Sequence, residues 1–362
     1  MPVAPPQPHS NPVTLKPVTL KTLANHLKLA PSTISVVLNR AEVAKGIPPA
    51  TQDRIFEAAR ELGYRPNLLA QSLRNKRSHS VGILVPDFDG SYISRVMGGA
   101  EELLLDKGFL SLVGNHRSDP TLSNQVMESL RQRQVEGLVA VAAPLEEAPG
   151  LPTVAVGSHR TLPGVTNVNV DHDRAAQLAL GHLRDLGHRR VAFFRGDPSN
   201  NDAQDRWRSL QSAADALGLA IRPELVVELR ESVADGETRI QRGYAAGADA
   251  CRHLLDSGAS FTALFAFNDI SAIGALYTLR QAGLWVPEDV SVVGFDDIYD
   301  AAYQTPSLTT VRQPVRRMGN LAARLLLDRL AVGPHALSTD IPHTVKVEPE
   351  FIVRESTARA AA

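Results

Sequence analysis

One cysteine, Cys251, in 362 residues excludes an internal disulfide framework and any multi-cysteine metal site. It reads as a small core residue, and no function is assigned to it. No run of about 18 apolar residues is available to span a bilayer. The first residues lack the apolar core of a secretory signal. Met1 to Pro17 is rich in proline and reads as a disordered tail, so the chain is expected to stay in the cytoplasm, with no membrane partner. The eleven histidines are scattered without metal-ligand spacing, and His182 and His188 flank a helix end where a cation would suit the helix dipole. There is no Walker loop, and VMGGA is too weak a glycine pattern to imply a nucleotide. No catalytic residue, metal or cofactor is therefore assigned, and an enzyme is not expected.

What is present is a chain of 43% hydrophobic and 21% charged residues, long enough for two or three domains with their own cores. The net charge of -1 conceals a segregation: residues 1–77 hold eleven Lys and Arg against four acidic residues, +7, which leaves -8 on the rest. A basic head on an acidic body is the electrostatic footprint of a chain whose head alone approaches a polyanion such as DNA.

In the head, Leu20, Leu23, Ala24 and Leu27 recur at the spacing of an amphipathic helix, with Thr19 placed to cap it. A tight turn at Lys28, Leu29 and Ala30 leads to a second helix starting at Pro31, a residue suited to the first helical position. Ser32, Thr33 and Ser35 are expected to face outward and Ile34, Val37 and Leu38 inward, and small polar residues let a helix lie close in the major groove. A third helix is predicted from Pro49 to Leu62.

The segments VTLKTLANHLKLAPSTISVVLN, from Val18 to Asn39, and LGYRPN, from Leu62 to Asn67, resemble the amino-terminal signature of the lactose-repressor/galactose-repressor family, and the similarity extends over nearly the whole chain. The resemblance implies a sequence-specific DNA-binding transcriptional regulator, with repression as the expected output. It implies base contacts from Pro31, Ser32 and Val36, phosphate-side positions for Thr33 and Ser35, and supporting DNA contacts from Thr19, Asn39, Tyr64 and Asn67. Ala30 departs from the family's usual cap, Val36 replaces a polar reader, and the loop from Arg40 to Pro48 is a few residues longer. From Asn67 to Arg77 the chain can form a short helix, too short to be stable alone. The resemblance makes it a hinge helix that drives Leu73, with Ala70 beside it, into the minor groove. The alternative is a plain linker with Leu73 packed on the body, against which stand the basic residues Arg74, Lys76 and Arg77.

From Val81 onward, apolar runs alternate with helical segments: VGILVP, FLSLVG, GLVAVAA, TVAVG, NVNV, RVAFFRG, ALFAFND and VSVVGFDD, then LTTVRQP late in the chain. Continuous apolar strands between helices mean parallel sheets covered on both faces, and two doubly wound α/β lobes are predicted. This resembles the family's periplasmic-binding-protein-like core, whose ligand lies in the cleft at the strands' carboxyl ends. Asp296 and Arg206 match the family's main ligand pair, a carboxylate and a guanidinium suited to a polyol. Asp87, Tyr92 and Asn268 fall where the family lines its cleft. Asp269 is equally explained as a helix cap, and Asp296 with Asp297 could cap the next helix while Arg206 makes a surface ion pair. Glu231 to Gly243 carries no aromatic to act as a stacking platform, a role open to Trp207 or Tyr244.

The expected division is a tail at 1–17, a helix-turn-helix domain at 18–66, a hinge at 67–78, a two-lobed effector-binding and dimerisation domain at 79–356, and a tail at 357–362. The expected partners are a pseudo-palindromic DNA operator, a small-molecule effector, most simply a sugar, and a second copy of the chain in a homodimer. A transport-associated sugar-binding protein would share the lobes but not the basic head, and an enzyme would need a catalytic constellation in the cleft. Replacing Leu73 by Ala is expected to weaken specific DNA binding more than non-specific binding, as read by electrophoretic shift with matched duplexes. Equal losses would remove the wedge assignment.

Overall fold

A computed structural model of the protein describes residues 18–65, 77–143, 145–157, 160–198, 200–229, 238–332 and 343–360. The chain divides into a head that ends at Arg77 and a body that begins at Ser78. The candidate residues Asn67, Ala70 and Leu73 and the segment 1–17 lie outside the described residues.

The head holds three helices, α1 (Leu20–Leu27), α2 (Pro31–Leu38) and α3 (Pro49–Glu61). Thr19 opens α1 through a reciprocal capping box with Thr22, which satisfies donors that the first turn leaves without intrahelical partners. Lys28 closes α1 in the left-handed conformation (φ 54°), turning the chain within three residues into α2. No side chain caps α2; Ala30 takes the cap position and Pro31, which has no N–H to satisfy, starts the helix. Leu23, Leu27, Ile34, Val37, Ile55 and Ala58 form one small core among the three helices. The long loop before α3 winds into a 3₁₀ turn at Glu42–Gly46, pinned by Gln52 Nε2 donating to the carbonyls of Ala44 and Ile47 at 3.0 and 2.8 Å.

The body contains two six-stranded sheets. The first lobe is built from β1 (Ser80–Val85), α4 (Ser91–Asp106), β2 (Leu110–Asn115), α5 (Pro120–Gln132), β3 (Gly137–Val141), β4 (Thr153–Val156) and β5 (Val165–Val170). The second is built from α6 (His172–Asp185), β6 (Val191–Arg195), α7 (Asn201–Leu217), β7 (Val226–Glu228), α8 (Arg239–Asp256), β8 (Ala263–Phe265), α9 (Asp269–Gln281), β9 (Ser291–Asp296) and β10 (Thr309–Arg312). The chain then recrosses: α10 (Val315–Val332) packs on α4, β11 (Thr344–Val347) joins the first sheet, and β12 (Glu350–Ile352) joins the second. The sheet orders are β11-β5-β4-β3-β1-β2 and β12-β10-β9-β8-β6-β7. All pairs are parallel except β12 with β10. Strands such as β3 and β5 are buried at every position because helices cover both faces. The short strands β7, β11 and β12 were not legible as apolar runs, since none shows a stretch of buried residues.

Three expectations are corrected. Ser35 does not face outward: it is buried, and Asn39 Nδ2 donates to its carbonyl at 2.8 Å, because α2 turns this position toward the helical core. Residues 357–360 are not a loose tail. Thr357 Oγ1 lies 3.0 Å from His182 Nε2, the Ala358 carbonyl lies 3.0 Å from His188 Nε2, and Ala360 N donates to the Leu186 carbonyl at 2.9 Å. His182 and His188 are accordingly not helix-end cations. Burial lowers both their pKa values below the ordinary 6.5, so at neutral pH each is an uncharged ring bound to the returning chain.

Helices α4 and α10 approach so closely that only glycine fits at two facing positions. A Cβ on Gly99 would overlap the Arg316 carbonyl, and one on Gly319 would overlap the Val96 carbonyl. Since backbone cannot yield as a flexible side chain does, Gly99→Ala is expected to cost about 1–3 kcal/mol of stability. Urea unfolding measures it, and an unchanged midpoint would show that the helices slide apart freely.

Candidate functional site

The carboxyl ends of the strands in both sheets face a common cavity of about 140 Å³. The first lobe contributes Asp87, Asp89, Ser91 and Tyr92, on the loop after β1 and the start of α4. The second contributes Asn200, Asp202 and Arg206 from α7 and its cap, Arg239 and Tyr244 from α8, Phe267 and Asn268 before α9, Asp296 from the end of β9, and Gln313 after β10. All five residues singled out for the cleft, Asp87, Tyr92, Arg206, Asn268 and Asp296, line this one cavity.

Arg206 is 6% exposed and reaches the cavity as a clamped group. One terminal nitrogen donates to the Phe267 carbonyl and the other to Asp202 Oδ2 at 2.8 Å. The guanidinium lies 3.7 Å from the centroid of the Phe295 ring and 4.6 Å from that of Phe267, contacts that fix its plane. Its Nε is buried without a hydrogen-bond acceptor among the described residues. Asp202 sits one helical turn before Arg206 and also meets His172 Nε2 at 2.9 Å. The surface ion pair considered for Arg206 is thus replaced by a buried one.

Asp296 ends β9 with φ 113°, and Asp297 follows at φ 53°; both values lie in the region that favours glycine. Strain of this kind persists where surrounding structure holds it. Here Gln313 Nε2 donates to Asp296 Oδ1 at 2.7 Å, while Asp297 accepts from Arg312 and Arg354, both at 2.6 Å. Asp296 and Asp297 do not cap the next helical turn, whose cap position is Ile298 with no side-chain bond. Burial raises the Asp296 pKa from 3.8 to about 6, against the opposing pull of Arg206 and the Gln313 hydrogen bond.

Asn268 caps α9 in a capping box with Ser271 while lining the cavity. Asp269, left open between cap and ligand contact, is neither. It is fully buried and accepts from Thr310 Oγ1 at 2.5 Å and from Ile298 N at 2.8 Å. On the first lobe, Asp87 Oδ2 lies 3.5 Å from Arg239, and its Oδ1 is buried without a donor among the described residues. Burial raises the pKa values of Asp87 and Tyr92 above their ordinary ones. Trp207 does not line the cavity; it packs edge-on against Phe193 with ring centroids 5.8 Å apart. Phe267 and Tyr244 supply the aromatic surface instead.

Asp202, Arg239 and Gln313 were missed. Asp202 carried a usable signal, since an acidic residue four before an arginine on one helix shares its face. Gln313 carried one too, as the residue leaving the strand that pairs with β9, where Arg312 sits beside Asp296.

In the head, Pro31, Ser32 and Asn39 are exposed, and Thr33 and Val36 are half-buried along α2. Thr19 is exposed at the start of α1, and Tyr64 is half-buried against the helical core, which raises its pKa.

A periplasmic binding protein-like domain model matches residues 180–357. The HTH-type transcriptional repressor PurR of Aliivibrio fischeri is 28% identical over 348 residues, covering 94% of this chain and 98% of that protein. The transcriptional regulator CelR in its cellobiose complex is 28% identical with a TM-score of 0.67, covering 93% of this chain and 99% of that one. The lac repressor dimer bound to operator and the anti-inducer ONPF, at 24% identity, shares the fold with a TM-score of 0.81 over 95% of this chain and 100% of that one.

The Asp296 carboxyl holds its proton to about pH 6 in the folded protein, whereas in the unfolded chain it ionises near 3.8. The folded state therefore binds the extra proton in that window, and the resulting stability is lost as pH rises through 6. Asp296→Asn, which keeps an oxygen for Gln313, is expected to be the more stable protein at pH 7.5 by up to about 3 kcal/mol and equal to the parent near pH 3.5. Melting curves across that range check it; a constant difference would contradict the shifted carboxyl.

Proposed function

We propose that the chain is a transcriptional regulator of the lactose-repressor/galactose-repressor family, in which a sugar bound between the two lobes sets affinity for a pseudo-palindromic operator. The observation that carries this reading is the pairing, on one chain, of a helix-turn-helix head with a cleft where Arg206, Asp296 and Asn268 converge beside Phe267 and Tyr244. A polyol offers donors to the carboxylates, acceptors to the guanidinium and amide, and an apolar ring face to the aromatics. CelR, similar over the same length, is described in complex with cellobiose. Asp87 and Tyr92 complete the site from the first lobe.

Pro31, Ser32 and Val36 are assigned to base edges, Thr33 and Asn39 to the backbone of the duplex, and Thr19 and Tyr64 to supporting contacts. Ser35 acts from within the helix packing and not as a surface contact. Asn67, Ala70 and Leu73 are assigned to the hinge. A single α2 reads one half-site, so a homodimer is required to read both halves of a palindrome. No helix among the described residues is long and apolar enough to cross a membrane, and the cytoplasm, where the operator lies, is the assigned location. Coupling between sugar and operator is reciprocal: whichever sign it takes, operator shifts sugar affinity by the same factor.

A thermal-shift screen against mono- and disaccharides, repeated on Asp296→Ala, tests the reading, since a ligand that binds only the folded state raises its melting temperature. A saturable rise with one sugar is expected, absent in the variant, with operator retention altered by the same sugar only in the parent. A rise retained in Asp296→Ala would place the site elsewhere, and no rise with any sugar would exclude the class.

A further inference from the structure

The charge of the cavity narrows the effector beyond the sugar class, and this inference rests on that reading of the cleft. Among the described residues, five carboxylates line the space, Asp87, Asp89, Asp202, Asp296 and Asp300, against the two guanidinium groups of Arg206 and Arg239. Both cations are already engaged, Arg206 with Asp202 at 2.8 Å and Arg239 with Asp87 at 3.5 Å. Asp296 is thus left in the interior with an amide, Gln313, as its hydrogen-bond partner among the described residues, while Asp89 and Asp300 stand exposed at the mouth. A second observation points to a polar ligand. Arg206, more than nine-tenths buried, has its Nε without an acceptor among the described residues, and Asp87 has a buried Oδ1 without a donor.

We propose that the effector is an amine-bearing sugar, with its ammonium set against Asp296 and its hydroxyl oxygens serving Arg206, and that Asp89 and Asp300 exclude anionic sugars at the mouth. An anion entering this cleft meets an excess of negative charge at every depth, and the two guanidiniums that could receive a phosphate are held by carboxylates. A neutral hydroxyl could donate to Asp296 but would leave the interior with a net negative charge removed from water. An ammonium removes that excess while making a charge-assisted hydrogen bond. The remaining charged groups facing Asp296 are Asp202, Arg206 and Arg239; Arg206 is paired with Asp202 and Arg239 with Asp87, which leaves no further cation for Asp296 among the described residues.

The test is calorimetric titration at pH 7.5 of the full chain with matched sets: glucose, galactose and mannose, their 2-amino forms and their 6-phosphates. Within the set that binds, the amino form is expected at least tenfold tighter than the neutral form, with no heat from the phosphate. The exposed-site double variant Asp89→Asn/Asp300→Asn keeps the interior unchanged. It is expected to weaken the amino form several-fold more than the neutral form at low salt, and equal losses would remove the role given to the mouth. Asp296→Asn should remove the preference for the amine. A neutral sugar that binds as tightly as its amino form, or any 6-phosphate that binds, overturns the proposal while leaving the sugar reading intact. The absence of binding by every member of every set overturns both.

Discussion

The second lobe is organised around one buried carboxylate. Asp269 begins α9, yet its oxygens bind Thr310 on β10 and the backbone N–H of Ile298 just past β9. Gly294, on β9 itself, has no side chain because a Cβ there would overlap Asp269 Oδ1. Three segments distant in sequence are thereby fixed against each other: the loop that presents Asn268, the strand end that presents Asp296, and the strand whose continuation presents Gln313. Taking a carboxyl group out of water is costly, and its pKa is pushed well up by burial and by the neighbouring Asp296. The positive φ values at Asp296 and Asp297 persist because this anchor on one side and the Arg312 and Arg354 pairs on the other leave the chain no relaxed alternative.

Much of this was legible in the residues. Apolar runs such as VGILVP and VSVVGFDD announced buried parallel strands, and their carboxyl ends announced the cleft, because topology places ligands there whatever the side chains. The helices of the head were legible from the spacing of Leu20, Leu23, Ala24 and Leu27. What escaped was whatever depended on contacts distant in the chain. Ser35 looked outward by chemistry, but its orientation is set by the rotation of α2 on the core. Asp269 looked like a cap because its bonds to Thr310 and Ile298 join residues about thirty to forty positions apart. His182 and His188 looked like helix-end cations because the returning segment at Thr357 and Ala358 has no periodicity to reveal where it docks.

The same dependence governs the cleft. Asp202 orients Arg206, His172 orients Asp202, and the Phe295 and Phe267 rings confine the guanidinium, so the cavity-lining arginine is the last member of a pre-assembled stack. Pre-organisation of this sort lowers the ordering entropy that a ligand must otherwise overcome. Across the cavity the first lobe answers with few fixed contacts: Arg95 donates to the Asp297 carbonyl at 3.2 Å and Arg239 approaches Asp87 at 3.5 Å. One wall is braced by short, buried bonds, and the other is tied to it by these longer, partly solvated ones.

The interleaving of the two sheets has a consequence for the order in which the protein is made. The first lobe lacks its edge strand β11 until residue 347 has been synthesised, and the second lacks β12 and the docking run at Thr357 to Ala360 until after that. The first sheet holds five of its six strands by residue 170 and takes the sixth from more than 170 residues later. Each sheet thus takes an edge strand from the segment after the recrossing, β11 for the first and β12 for the second, and an edge without its strand presents unpaired backbone groups. The two lobes are therefore coupled through the chain's own topology, since one short segment, β11 to β12, supplies an edge to both.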